Sequence, residues 1–345
     1  MNASAHAAPE ASAGLDVSAL RTWVLTDGKA GDEQPLIGVA EAMGTPFELR
    51  RVKPRLAWVM FMPYGPVDPR ESVGLPAGPL APPFPNICLA TGRRAVAYAR
   101  ELRRQTGCMT VFFKDPRVAP SFADLVFVID ESSLGGSNVI STLTGPNRIT
   151  ERKLEVHRKN PGPLVAGLSG PRAAVLIGGN TRRYSYTRRD RDRMIEHLQA
   201  VSESGVSLMI TASRRTPGML VEALRRLATR PNVVLWDGSG DNPYFDFLAN
   251  ADHVIVTTDS SNMIGEAVAS GRPVHFFTPE KQGAHFSKMM KEMADRGAAR
   301  PLAGNLSGSA YAPINSTPFI AQTILEHFQA RGKARRGQTG ADDAL

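Results

Sequence analysis

The sequence predicts an α/β fold made of two doubly wound parallel-sheet domains, and three observations carry that reading. Short β-branched and apolar runs such as Val254-Ile255-Val256 alternate with longer stretches of helical period. Turns rich in Gly or hydroxyl groups fall where strands hand over to helices, as in open parallel sheets. At 345 residues the chain exceeds what one hydrophobic core normally supports, so two domains of similar size follow.

The formal net charge of +8 comes mostly from Arg, whose planar fork suits phosphate and carboxylate. Acidic partners of the nucleotide or anionic-lipid kind fit that balance, and nucleic acid is not expected. Cys88 and Cys108 lie in apolar contexts and read as buried thiols of a reducing compartment, with no disulfide framework or zinc spacing. Residues 1–18 are Ala/Ser-rich, fit neither a secretory signal nor an anchor, and are expected to be disordered, as is the tail 332–345. No run approaches the roughly eighteen apolar residues of a spanning helix. The expected location is the cytoplasm, with a peripheral place at the inner face of the cytoplasmic membrane as an option.

The first domain, expected over residues 19–160, opens with a strand from Arg21 to Thr26. A Gly-rich turn, Asp27-Gly28-Lys29-Ala30-Gly31-Asp32-Glu33-Gln34, leads to a helix expected from Pro35 to Met43. Such a turn is the usual phosphate-facing loop of an α/β domain, although it matches neither G-x-G-x-x-G nor the Walker pattern. Asp-Gly is also an everyday turn. After a strand from Phe47 to Val52, the run Pro54 to Tyr64 carries Leu56, Trp58, Val59, Met60, Phe61 and Met62 beside Arg50, Arg51, Lys53 and Arg55. This patch suits a core, the favoured reading, or an interfacial membrane surface. A Pro/Gly-rich loop from Pro63 to Pro85 follows.

Asn86 to Ala90 reads as a strand, and Thr91-Gly92-Arg93-Arg94 opens a helix to about Arg103. Two guanidinium groups in a first turn oppose the helix dipole, which favours an anion partner over a merely solvated turn. Strands from Met109 to Phe113 and Leu125 to Ile129 and a charged helix from Ile149 to Arg158 lead to the linker Asn160-Pro161-Gly162-Pro163, the expected domain boundary.

The second domain, expected over residues 161–316, repeats the alternation. Strands run from Ala173 to Ile177, Val206 to Thr211 and Asn232 to Trp236, with helices from Thr187 to Ser202 and Pro217 to Ala228. Asp190 and Asp192 are two apart on a helix and point to different faces, so they make a poor metal pair. Two loops fall at carboxyl ends of strands, Gly178-Gly179-Asn180-Thr181-Arg182-Arg183 and Thr211-Ala212-Ser213-Arg214-Arg215-Thr216. By the crevice rule for open sheets they converge with Thr257 to Asn262, and Gly, hydroxyl and Arg groups gathered there suit a diphosphate. Helices from Ser287 to Ala294 and over residues 317–331 close the chain, the last with Ile320, Ile324, Leu325 and Phe328 on one stripe.

The chain is organised around His253 to Phe277. The strand His253 to Val256 meets a polar turn, Asp259, Ser260 or Ser261 caps a helix to about Ser270, Gly271 stops it, and Val274 begins the next strand. A helix N-terminus at the carboxyl end of a parallel strand carries roughly half a positive charge, a ready place for phosphate. Glu266, one turn on, would repel phosphate but suits a pair of sugar hydroxyls; the plainer alternative is an exposed Glu on a crossover helix.

Taken together, Thr26 to Gln34, Gly92-Arg93-Arg94, Ile177 to Asn180, Ser213 to Pro217, Asn242-Pro243-Tyr244 and Thr257 to Met263 resemble the mitochondrial-fission Elm-type family over about residues 21–330. The resemblance implies a fold similar to GT-B glycosyltransferases: two Rossmann-like domains facing a cleft, with the final helix packing back toward the first. The segment Ser260 to Pro273 also looks like the donor-binding helix of that fold, with Gly265 standing where a Ser is expected. On this resemblance Glu266 binds ribose hydroxyls, while Ser260, Ser261 and the helix start, through Thr258, Asp259, Asn262 and Met263, face the diphosphate.

The expected function is a glycosyltransferase moving a sugar from a nucleotide-diphosphate donor to a lipid or envelope-glycan acceptor. No cofactor and no metal are expected, since the helix N-terminus and Arg groups replace the ion. A non-catalytic recruitment scaffold and a nucleotide-sugar epimerase are the alternatives. On the acceptor side Asp27 is expected as base or acceptor ligand, with Lys29 pairing to phosphate; Asp32 is either a second acid or a helix cap.

Overall fold

The computed structural model describes residues 15–129, 134–181, 185–282 and 286–342. The chain forms two compact units, residues 1–148 with 316–345, and residues 149–315.

The first unit contains β1 (Thr22–Thr26), α1 (Ala30–Met43), β2 (Phe47–Arg51), α2 (Leu56–Phe61), β3 (Ile87–Thr91), α3 (Ala95–Thr106), β4 (Met109–Phe113), β5 (Leu125–Ile129) and β6 (Val139–Thr142). Its sheet is parallel throughout, in the order β2-β1-β3-β4-β5-β6. Alternate residues of each strand bury on opposite faces, as the period of two requires. Trp23, Leu25, Cys88 and Phe112 pack with Val96 and Leu102 of α3. Val24, Leu89, Val111 and Phe113 pack with Leu36 and Val39 of α1. The strand order reverses between β1 and β3, so the turns after these two strands flank the crevice of this sheet.

The second unit contains α4 (Glu151–Lys159), α5 (Pro163–Ala166), β7 (Arg172–Ile177), α6 (Arg188–Glu203), β8 (Ser207–Ala212), α7 (Gly218–Leu227), β9 (Val233–Leu235), α8 (Tyr244–Ala249), β10 (His253–Thr257), α9 (Ser261–Ala269), β11 (Val274–Phe277), α10 (Ser287–Asp295) and β12 (Ala299–Pro301). Its parallel sheet runs β12-β11-β10-β7-β8-β9 and reverses between β7 and β10. Met194, Leu198 and Val201 of α6 are fully buried against Val175, Ile177 and Ile210. A last helix, α11 (Thr317–Asp342), belongs to the first unit and lays Ile320 and Ile324 on the α1 side of the sheet.

Several expectations are corrected. The break between units falls at Arg148 and Ile149 rather than at the Pro160s linker. The reason is that α4 is bound to α8: the His157 ring stacks on Phe245 at 5.9 Å, and the Gly162 N–H donates to Asp246 at 2.8 Å. Helix α1 starts at Ala30, not Pro35, with Asp32 and Glu33 complementing the dipole of its first turn. Helix α11 continues to Asp342, past the expected start of a disordered tail at 332, and residues 17–19 form a short turn of 3-10 helix capped by Asp16. The rest of the expected disordered start, residues 1–14, and residues 343–345 lie outside the described residues. The apolar run of α2 is core only in part: Trp58 packs against the core and Met62 beyond the helix end is buried, but Leu56, Met60 and Phe61 are exposed.

Candidate functional site

In the second unit the loop after β7 passes so close to its neighbours that only glycine fits. A Cβ at Gly178 would lie 2.0 Å from the Asp259 carboxylate, and one at Gly179 would lie 2.1 Å from the Arg215 carbonyl carbon. Asp259 is fully enclosed. One of its oxygens accepts from the Thr257 hydroxyl at 2.6 Å and from the Tyr186 hydroxyl at 3.2 Å. The other accepts from the Gly179 N–H at 2.8 Å and stands 3.5 Å from the Arg215 guanidinium. A buried carboxylate with this many donors is a tie between loops.

The same pattern spreads outward. The Asn180 N–H donates to the Arg215 carbonyl at 3.0 Å, and the Asn180 side chain accepts from the Tyr186 N–H at 3.0 Å. Ser213 accepts from the Arg215 N–H at 3.2 Å. Thr258 is buried and bonds the carbonyl of Phe277 and the hydroxyl of Thr278. Gly178, Gly179, Asn180, Ser213, Arg215, Thr258 and Asp259 are therefore brought together, but as a linked scaffold. Arg182 and Arg183 lie outside the described residues.

What this scaffold presents is smaller. Ser260 is the N-cap of α9, its hydroxyl 3.5 Å from the Met263 N–H, and Ser261, Asn262 and Met263 make a half-exposed first turn. First-turn N–H groups have no intrahelical acceptor and carry partial positive charge. Arg214, exposed on the loop after β8, has no partner among the described residues. Glu266, in the second turn of α9, accepts the Tyr244 hydroxyl at 2.5 Å. Burial pushes its carboxyl up to about 7, and the Tyr244 bond offsets only part of that rise. Burial also drives the Tyr244 phenol well above its usual range.

In the first unit Gly28 turns the chain after β1 at a φ of +82°, and its N–H donates to Thr26 at 3.0 Å. The Asp27 side chain is 6% exposed and pairs one oxygen with Lys29, which itself reaches into solvent. The other oxygen of Asp27 is buried and has no hydrogen-bond partner among the described residues. Asp32 is the third residue of α1, so it does not cap the helix; the cap position is Lys29, and Asp32 binds Lys114 at 2.6 Å. A Cβ at Gly92 would lie 3.9 Å from Asp32, which brings the turns after β1 and β3 together.

Other sequence candidates have structural duties. Arg93 donates to the carbonyls of Met62 at 2.5 Å and Val59 at 3.1 Å, closing the end of α2. Gln34 accepts from Arg148 at 2.7 Å. Gly31 lies in the first turn of α1, and half-buried Arg94 precedes α3 without a partner among the described residues. Sequence reasoning missed Tyr186, Lys114, the pair of buried Glu33 with exposed Arg51 (2.9 Å) and Tyr244 as the partner of Glu266. Among the described residues no group of three or more His, Cys, Asp or Glu is placed to hold one ion, and no helix is long and apolar enough to cross a membrane.

The sequence pattern of mitochondrial fission ELM1 matches residues 30–328. The mitochondrial fission protein ELM1 of Arabidopsis thaliana is 30% identical over 175 residues, 50% of this chain and 41% of that protein. An uncharacterized Rickettsia prowazekii protein, RP120, is 31% identical over 160 residues, 44% of this chain and 45% of that protein. The chain thus spans less than half the length of these relatives. The UDP-GlcNAc 2-epimerase of Neisseria meningitidis, solved bound to UDP-GlcNAc, superposes with a TM-score of 0.54 at 11% identity, covering 89% of this chain and all of that one. The likeness is one of fold: two Rossmann-like parallel-sheet units of the GT-B kind.

Proposed function

The chain belongs to the mitochondrial fission ELM1 family, and from that premise we propose that it is a glycosyltransferase using a nucleotide-diphosphate sugar. The observation that carries the proposal is the switch point of the second sheet. There the Gly178-Gly179 loop, tied down by Asp259, stands beside the first turn of α9 and the Arg214-Arg215 loop. Fixed N–H dipoles and guanidinium groups of this kind stabilise charge that develops on a leaving diphosphate.

In the proposed step an acceptor hydroxyl oxygen bonds to the anomeric carbon of the donor. The bond from that carbon to the diphosphate oxygen breaks, and its electron pair stays with the diphosphate. Ser260, Ser261, the α9 N-terminus and Arg214 balance the new charge, and Glu266 accepts from the ribose hydroxyls. On the acceptor side the base proposed for the hydroxyl proton is the Asp27 carboxylate, which is paired with Lys29. The acceptor is a lipid or an envelope glycan, which places the chain at the inner face of the cytoplasmic membrane. The reaction asks for no metal, because the α9 N-terminus and the Arg214 guanidinium do the ion's work.

The test is product analysis with a nucleotide sugar, first UDP-GlcNAc, with and without a lipid or glycan acceptor, in the presence of a chelator. Acceptor-dependent transfer that persists supports the proposal. Isomerised donor without acceptor would mark an epimerase, and no nucleotide binding at all would mark a scaffold.

A further inference from the structure

Helix α2 stands out of the first unit with an apolar face turned to water. On α2 Leu56 is 77% and Met60, four residues on, 70% exposed; Phe61 at the helix end is 64% and Tyr64, just beyond it, 70% exposed. Single exposed apolar side chains are ordinary, but four large ones side by side mark a surface that something covers.

The helix has six residues, too few to hold itself in water, and the fold fixes both its ends. At the start, Asp68 binds the backbone N–H of Arg55 at 3.0 Å and its guanidinium at 2.7 Å, and that guanidinium stacks on Trp58. At the end, Arg93 takes the carbonyls of Val59 and Met62, and Arg100 takes those of Tyr64 and Gly65 at 3.2 and 2.9 Å. The last carbonyls are therefore satisfied without water, the condition for entering a low-dielectric layer.

The charge around this face points to its occupant. Neither Arg93 nor Arg100 forms an ion pair among the described residues, and Lys53 and Arg70 stand exposed and unpaired before and after the Arg55–Asp68 clasp. Of the acids nearby, Asp68 is spent on Arg55 and Glu71 turns inward to the Tyr98 hydroxyl and the Lys53 N–H. An apolar, aromatic tip rimmed by uncompensated cations complements the headgroup layer of an anionic bilayer. We infer that α2 and its basic rim dock this chain on the surface of a membrane containing anionic phospholipid. The inference rests on the proposed function for its purpose, bringing a lipid acceptor to the chain. Docking is measured with no donor present, so its failure and a failure of transfer are separate results.

The experiment is flotation of the full chain with vesicles of phosphatidylethanolamine and phosphatidylglycerol, against vesicles of phosphatidylcholine alone. The chain should float with the anionic vesicles, and raising salt from about 0.1 M to about 0.5 M should weaken that several-fold. The double substitution Met60→Asp, Phe61→Asp should lower partitioning at least about tenfold, with an unchanged melting temperature because both side chains face water. The inference is overturned if the wild type stays unbound, floats equally with neutral vesicles, or floats as well after the substitution. It is also overturned if α2 instead joins two copies, seen as a doubled mass in solution that the double substitution abolishes.

Discussion

Glu266 accepts the Tyr244 hydroxyl at 2.5 Å in a half-buried position, and burial raises its carboxyl to about 7. Below that pH it is a neutral acid, a poor acceptor for ribose hydroxyls. Affinity for a nucleoside diphosphate should therefore rise with pH through 7, by at most about tenfold per unit below it. Calorimetric titrations at several pH values check this, and Glu266→Gln should flatten the profile. The same shift means that Glu266 stabilises the fold below 4.5 and that this contribution is lost as pH rises through 7.

Gly179→Ala should cost roughly 1–3 kcal/mol and lower nucleotide affinity with it. The added methyl meets the Arg215 backbone, which cannot yield without moving the Asn180–Arg215 bond. Thermal unfolding and nucleotide titration of the variant read both effects; an unchanged melting temperature would show the loop to be looser than these contacts require.

Asp27→Asn should reduce transfer by about a hundredfold or more, the range a positioned base contributes. Donor affinity should stay within about twofold of wild type, since the nucleotide contacts proposed here lie in the second unit. Equal loss of both would contradict the division between a donor side and an acceptor side.

His275 is buried beside His253, with nitrogens 3.4 Å apart, and burial lowers it to about 4, helped by His253 and Arg300. The unfolded chain binds this proton near 6.5. Stability should thus fall as pH drops from 6.5 through 4, by up to about 1.4 kcal/mol per unit from this group. Urea unfolding across that window should give a shallower slope for His275→Asn than for wild type.

The β10–α9–β11 unit was legible because every signal in it is local: a β-branched run, a hydroxyl-bearing cap, and glycine at the stop. The edge strands β6 and β12 were not, since Val139–Thr142 is only partly buried and Ala299–Pro301 is three residues ending in proline. Strand ends located Gly178, Arg215 and Asp27, but not the direction of each side chain. Asp259 reads as a ligand-facing carboxylate until Tyr186 and Gly179, each more than seventy residues away in sequence, are seen to enclose it. The α2 run reads as core before surface, because hydrophobicity alone does not say which face the rest of the chain covers.

The most direct measurement is calorimetric titration of a panel of nucleoside diphosphates into the wild type and Glu266→Ala. One nucleotide should bind the wild type and, at about 100 times its dissociation constant, add about 2.7 kcal/mol of stability. Glu266→Ala should stay folded and bind it roughly 1–3 kcal/mol more weakly. Binding of no nucleoside diphosphate, or equal affinity in the folded variant, would contradict a donor site at α9.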